Sequence, residues 1–89
     1  MNPKFPLGDA VITPNALSQL TQDDFGHGLA RHQSGDWGDV SEDDRKENDL
    51  ALAKGSRLLS VYHARNGIKF WIITEADRSS TTVLMPEDY

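Results

Sequence analysis

The chain contains no cysteine. That absence excludes disulfides, a thiolate nucleophile and a cysteine-ligated zinc site, and it fits a reducing compartment. Long apolar runs are also missing: those at 58–59 and 70–73 fall far short of the roughly 20 residues a membrane-crossing helix needs. No signal peptide opens the chain, so the expected location is the cytoplasm, with no membrane partner. Cations are few, with nine Lys and Arg against 14 Asp and Glu for a net charge of −5. Non-specific nucleic-acid binding depends on clustered cations that displace counterions, so direct binding of this kind is disfavoured. A basic partner, or a locally basic groove on an acidic body, stays open.

Recognisable reaction motifs are missing too. There is no glycine-rich phosphate loop and no G-x-S-x-G, and Gly26-His27-Gly28 is too short for a nucleotide fingerprint. His27 and His32 lie five apart, point in different directions on a helix and have no third ligand at suitable spacing, so neither metal nor cofactor is expected.

What is present suits one small α+β domain over 1–89, with 1–7 a loosely ordered N-terminal segment. Hydrophobic residues make up 37% and charged residues 26% of the 89, and a chain of this length buries about two thirds of its unfolded surface. Residues 8–13 form a short apolar run that reads as a strand, ended by Thr13-Pro14, a helix cap with proline at the first helical position. A short helix follows over 14–20, and a second over 23–33, with Asp23 and Asp24 at the positive end of its dipole. Gly26 and Gly28 weaken that helix by roughly 1 kcal/mol each. Residues 34–39 (SGDWGD) break it. Ser41 then caps a third helix that runs to Lys54 and stops at Gly55.

From 56 onward the period becomes alternating. Strands are predicted over 57–63, 68–75 and 80–85, joined by turns at 64–67, with Asn66-Gly67 at the tip, and at 76–79. The predicted order is β-α-α-α-β-β-β, with the helices packed on one face of a small antiparallel sheet. On the middle strand Ile68, Phe70, Ile72 and Thr74 are the expected core face. Ser60 and Tyr62 are expected to share the other sheet surface with Trp71, rimmed by Glu75, Asp77 and Arg78.

Each candidate residue has two readings. Trp37 either folds back over a thin core with its indole N–H satisfied, or stands exposed beside Asp36 as an anchor for a partner. Glu75, Asp77 and Arg78 either form a cluster able to move protons or hold a phosphate, or tie down a tight turn. His32, next to Arg31, is the histidine placed to act as an acid or base; His63 is expected to be solvated. Seven acids between Asp36 and Asp49 face only Arg45 and Lys46; they make either a solvated helix face or a mimic of nucleic-acid phosphates.

With those residues in view, the chain resembles a family of small bacterial proteins carried on plasmids, phages and genomic islands, whose members are often labelled plasmid-related protein or type I restriction subunit M. The resemblance spans nearly the whole chain. It rests on Phe5-Pro6-Leu7-Gly8, Thr13-Pro14, Ala30-Arg31-His32, Gly35-Asp36-Trp37-Gly38, Asn48, Gly55, Arg57, Ser60 and Tyr62. Its most specific part runs from Trp71 through Thr74-Glu75-Ala76-Asp77-Arg78-Ser79 and Thr81-Thr82 to Pro86, Glu87 and Tyr89. A methyltransferase activity is excluded on size, because a methyl donor and a flipped base need a doubly wound domain with a glycine-rich cofactor loop. The chain is also similar to small ribonuclease folds of the barnase and RelE toxin kind, which implies RNA cleavage without metal by groups such as His32, Arg57, Tyr62 and Arg78. The leading expectation is an accessory protein of mobile elements, without chemistry of its own. It would bind a protein partner, such as a host-defence or replication component, through Trp37, Asp36, Trp71, Glu75, Asp77 and Arg78. The ribonuclease is the alternative.

Overall fold

The computed structural model describes residues 3–89. Along the chain come β1 (Asp9–Ile12), α1 (Pro14–Gln19), α2 (Gln22–Gln33), α3 (Glu42–Lys54), β2 (Leu58–His63), β3 (Lys69–Thr74), β4 (Ser80–Leu84) and a 3-10 turn over Pro86–Asp88. The helix ends are set by local chemistry. Thr13 Oγ accepts from the Ala16 amide, Thr21 and Asp24 form a reciprocal capping box, and Ser41 Oγ accepts from the Asp44 amide. The cost of Gly28 inside α2 has a packing reason: a Cβ there would sit 3.0 Å from Phe70 and Ile72. The helix lies so close to the sheet that a side chain there would press both residues aside by a few tenths of an ångström.

The strand order is β1-β4-β3-β2, with β2–β3 and β3–β4 antiparallel and β1 parallel to β4. The sheet is therefore mixed, where an antiparallel one was expected. Three helices carry the chain from β1 to the far edge, where β2 is laid down. Two hairpins then step back until β4 arrives beside β1, running the same way.

All three helices cover one face. Beneath α1 and α2, Tyr62, Phe70, Ile72, Val83 and Met85 pack with Ala16 and Leu20; beneath α3, Leu58 packs with Ala51, Trp37 and Phe5. Residues 1 and 2 of the expected loose segment lie outside the described residues, but from Lys4 onward the segment is docked. The Lys4 amide donates to the Gln33 carbonyl at 2.8 Å, and Phe5 is buried, stacked on Trp37.

The two edges of the sheet differ. On the outer edge of β2 the Asn48 side chain satisfies both the amide and the carbonyl of Leu59, at 3.1 and 2.7 Å. The Val61 amide donates to the Trp37 carbonyl and its carbonyl accepts from the Asp39 amide. That bridge requires glycine at 38, where φ is 78° and a Cβ would run into the Val61 carbonyl and the Tyr62 ring. Nothing among the described residues covers β1 in this way.

Candidate binding face

The face of the sheet away from the helices carries Leu59 and Val61 of β2, Trp71 and Ile73 of β3, Thr82 and Leu84 of β4, and Val11 of β1, paired across the strands by register. Near the β2 end, Arg57, Leu58, Leu59, Trp71, Ile73 and Tyr89 line a largely apolar concavity of about 250 Å³. The Tyr89 ring meets Trp71 edge-on with centroids 5.6 Å apart. Arg57 lies 5.4 Å over the Tyr89 ring, donates to its hydroxyl at 2.8 Å, and faces Glu75 at 3.7 Å. The result is an aromatic pair, an aliphatic floor and a guanidinium held at the rim.

Tyr62 is not part of this surface, against expectation. It pairs with Phe70 and Ser60 with Ile72, so both face the helices. The cause is one residue of turn length. A two-residue Asn66-Gly67 turn would set Tyr62 opposite Trp71. Instead the Ala64 amide bonds the Ile68 carbonyl, leaving three residues in the turn, with Gly67 at φ 85°. A one-residue shift exchanges the faces of a strand.

Tyr62 is 2% exposed and donates its hydroxyl to the Asp36 carbonyl at 2.5 Å; burial pushes its acidity well below that of an ordinary tyrosine. Arg31 lies over the Tyr62 ring and holds the Asp36 carboxylate through two bonds of 2.8 and 3.2 Å, which keeps that carboxyl below its usual range. Asp36 is thus engaged within its own loop. Trp37 is 2% exposed and its indole donates to Asp49 at 2.9 Å. It closes the core under α3 and is no exposed anchor.

His32 is 0% exposed and has both ring nitrogens engaged, Nδ1 with Ser60 Oγ at 2.6 Å and Nε2 with Thr74 Oγ1 at 2.8 Å. The bond directions follow from the far end. Thr81 donates to the Leu7 carbonyl, so it accepts from Thr74. Thr74 has then spent its proton, so His32 Nε2–H donates to it and Nδ1 accepts from Ser60. Each hydroxyl donates once and the imidazole is neutral. Burial, then the charge of Arg78, lower the histidine's pKa to about 4. In this setting the residue is sealed from substrate, which corrects the expectation of an acid or base. His63 is half-exposed and bonded to Asp39 at 2.9 Å.

The rim group disperses as well. Asp77 accepts from the Ser79 amide, while Arg78 fans its guanidinium over the carbonyls of Ser56, Glu75, Ala76 and Ala51. Arg78 sits at φ 61°, a conformation that costs a non-glycine residue about 1 kcal/mol. Its bonds to the end of α3 and to the turn offset that cost. His32, Arg57, Tyr62 and Arg78 therefore form no common cleft. Two are buried, one is tied to main-chain carbonyls, and Arg57 lies on the opposite face. Of the expected site residues, Trp71, Glu75 and Arg57 come together; Leu59, Ile73 and Tyr89 join them unforeseen. Alternation along β2 and β3 could have indicated the first two once the turn length was known.

A second cleft, about 290 Å³, lies between α2 and the β2–β3 turn, lined by Asp23, Asp24, His27, Arg31 and Arg65 among others. Two of its charged groups are already engaged, Arg31 by Asp36 and Asp24 by the Arg65 amide. No family model matches the chain, and no curated protein or solved structure matches it.

Proposed function

We propose that the protein acts by binding a macromolecular partner, a protein, on the open face of its sheet, as an accessory protein of mobile genetic elements without chemistry of its own. The observation that carries this reading is the uncovered concavity formed by Trp71, Tyr89 and Arg57 over Leu59 and Ile73. Trp, Tyr and Arg are the residue types that dominate binding energy when a partner seals them from water. Arg57 stays fixed through Tyr89 and Glu75, so little side-chain freedom is left to lose on docking. The partner that fits presents an aliphatic or aromatic side chain to the floor and a hydrogen-bond acceptor to the guanidinium. The tie to mobile elements rests on the resemblance described above.

The test is capture from a host that carries the element, comparing the native chain with Trp71→Ala, Tyr89→Ala and a variant with Glu42, Asp43, Asp44 and Glu47 neutralised. Loss of one stoichiometric partner in the two aromatic variants, with circular dichroism unchanged, supports the open face. Equal capture by Trp71→Ala, with loss only on neutralising α3, transfers the function to the acidic helix and sinks the reading.

A further inference from the structure

We infer that a second copy of this chain pairs with the bare edge of β1, joining two four-stranded sheets into one of eight strands. The argument begins with hydrogen-bond direction. The Asp9 amide donates to the Ser79 carbonyl and the Thr13 amide to the Val83 carbonyl. In a parallel ladder this periodicity turns the main-chain groups of residues 9, 11 and 13 toward β4 and those of 10 and 12 outward. Ala10 and Ile12 thus present two amides and two carbonyls on the outer edge, and no described residue bonds them. The opposite edge is handled differently, covered by the Asn48 amide and by the bridge through Trp37 and Asp39. An open row of this kind is a template for another strand.

The strand's own features select the occupant. β1 contains no proline, lysine or bulge, and its one charge, Asp9, stands at the end. Val11 is 49% exposed, one of the few large hydrophobic residues left in water. A two-fold axis perpendicular to the sheet and passing through Val11 sets Ala10 against Ile12 of the second copy, and Ile12 against Ala10. Both residues in each pair turn their main-chain groups outward, so all four groups on each copy find partners at once. The two Val11 side chains then meet at the axis as a non-hydrogen-bonded pair, whose Cα atoms lie about 4.5 Å apart. An axis through Ala10 makes only one such exchange, and an axis between the two would bring residues from opposite faces together. Ala10 is exposed although it lies on the helix-covered side, so no helix covers that point of the edge. The operation keeps both helix layers on one side and sets the two Trp71–Tyr89 faces side by side on the other.

The absence of native cysteine makes the test direct. In the 89-residue chain, Val11→Cys brings two thiols into disulfide range at the axis, whereas Ala10→Cys and Leu50→Cys do not. Mild oxidation is expected to cross-link Val11→Cys at least tenfold faster than either control. Sedimentation of the native protein should give twice the single-chain mass of 9.9 kDa. Ala10→Pro, which removes an outward amide but no β4 bond, and Val11→Lys should both sediment as single chains with unchanged circular dichroism. A native chain that stays monomeric up to about 1 mM overturns the inference, and so does equal cross-linking of Val11→Cys and Ala10→Cys.

Discussion

On the helix-covered face the sheet buries His32, Ser60, Thr74 and Thr81, each 0% exposed, in one chain of hydrogen bonds; on the other it leaves Trp71 partly exposed and Tyr89 69% exposed. A buried polar chain thus lies inside among Tyr62 and Phe70, while two large aromatic residues, Trp71 and Tyr89, stay on the outside, where burial alone would not leave them. The inner polar groups are tolerated because every one has a partner, down to the Leu7 carbonyl. The outer aromatics receive no such cover from the fold. Changes on the first face should therefore cost stability, and changes on the second should cost binding.

The sharpest way to break that contrast is His32→Ala. It removes an imbedded ring that also contacts Phe5 and Trp37 edge-on, and it orphans the Ser60 and Thr74 hydroxyls. A loss of about 4 kcal/mol is expected from the cavity and the unpaired groups together, read from urea unfolding. A loss under about 1 kcal/mol would mean that water or neighbouring side chains replace the ring.

Acid tests the same residue without mutation. The folded histidine titrates at about 4 against 6.5 for the ordinary group, so between these values the unfolded chain holds more protons and stability rises with pH. The contribution is complete above 6.5 and lost on acidification to 4, about 3 kcal/mol in all. His32→Asn should flatten that stretch of the stability profile. An unchanged slope in this variant would assign the acid sensitivity to the carboxylates.

A smaller effect is expected where a side chain stands in for a strand. Asn48→Ala strips the Leu59 amide and carbonyl of their partners at the edge of β2, and a loss of about 2 kcal/mol should follow. Hydrogen exchange at Leu59 should quicken by more than that at Ile72 in the centre of the sheet.

How much of this was legible depends on whether the cause was local. Thr13-Pro14, Thr21 with Asp24, Ser41 and Gly55 act within a few residues of themselves, so the three helices and their ends follow from reading along the chain. The faces of β2 depend on whether a turn holds two residues or three, and Asn66-Gly67 suits both. That single choice moved Tyr62 from the open surface to the core. The parallel pairing of β1 with β4, the two hydrogen bonds of Asn48, and Arg78's reach to the end of α3 join residues 11 to 71 positions apart, and periodicity carries no record of such meetings. Tyr89 belongs with them: only the fold sets it against Trp71.

Trp71→Ala should produce the smallest change in stability and decides the comparison. The ring is partly exposed and meets the exposed Tyr89 edge-on, so its removal should cost about 1 kcal/mol. If the open face is only the outside of a core, that cost is the whole consequence. If it binds, a partner should exclude water from Trp71 while leaving Trp37 unchanged, because Trp37 is already 2% exposed and bonded to Asp49. A Trp37→Phe chain leaves one indole to report. Its emission should move to the blue when partner is added, and Arg57→Ala should weaken that response without moving the emission of the free protein. A response that survives Arg57→Ala and Tyr89→Ala together would separate binding from this concavity and leave the exposed aromatics without a role in it.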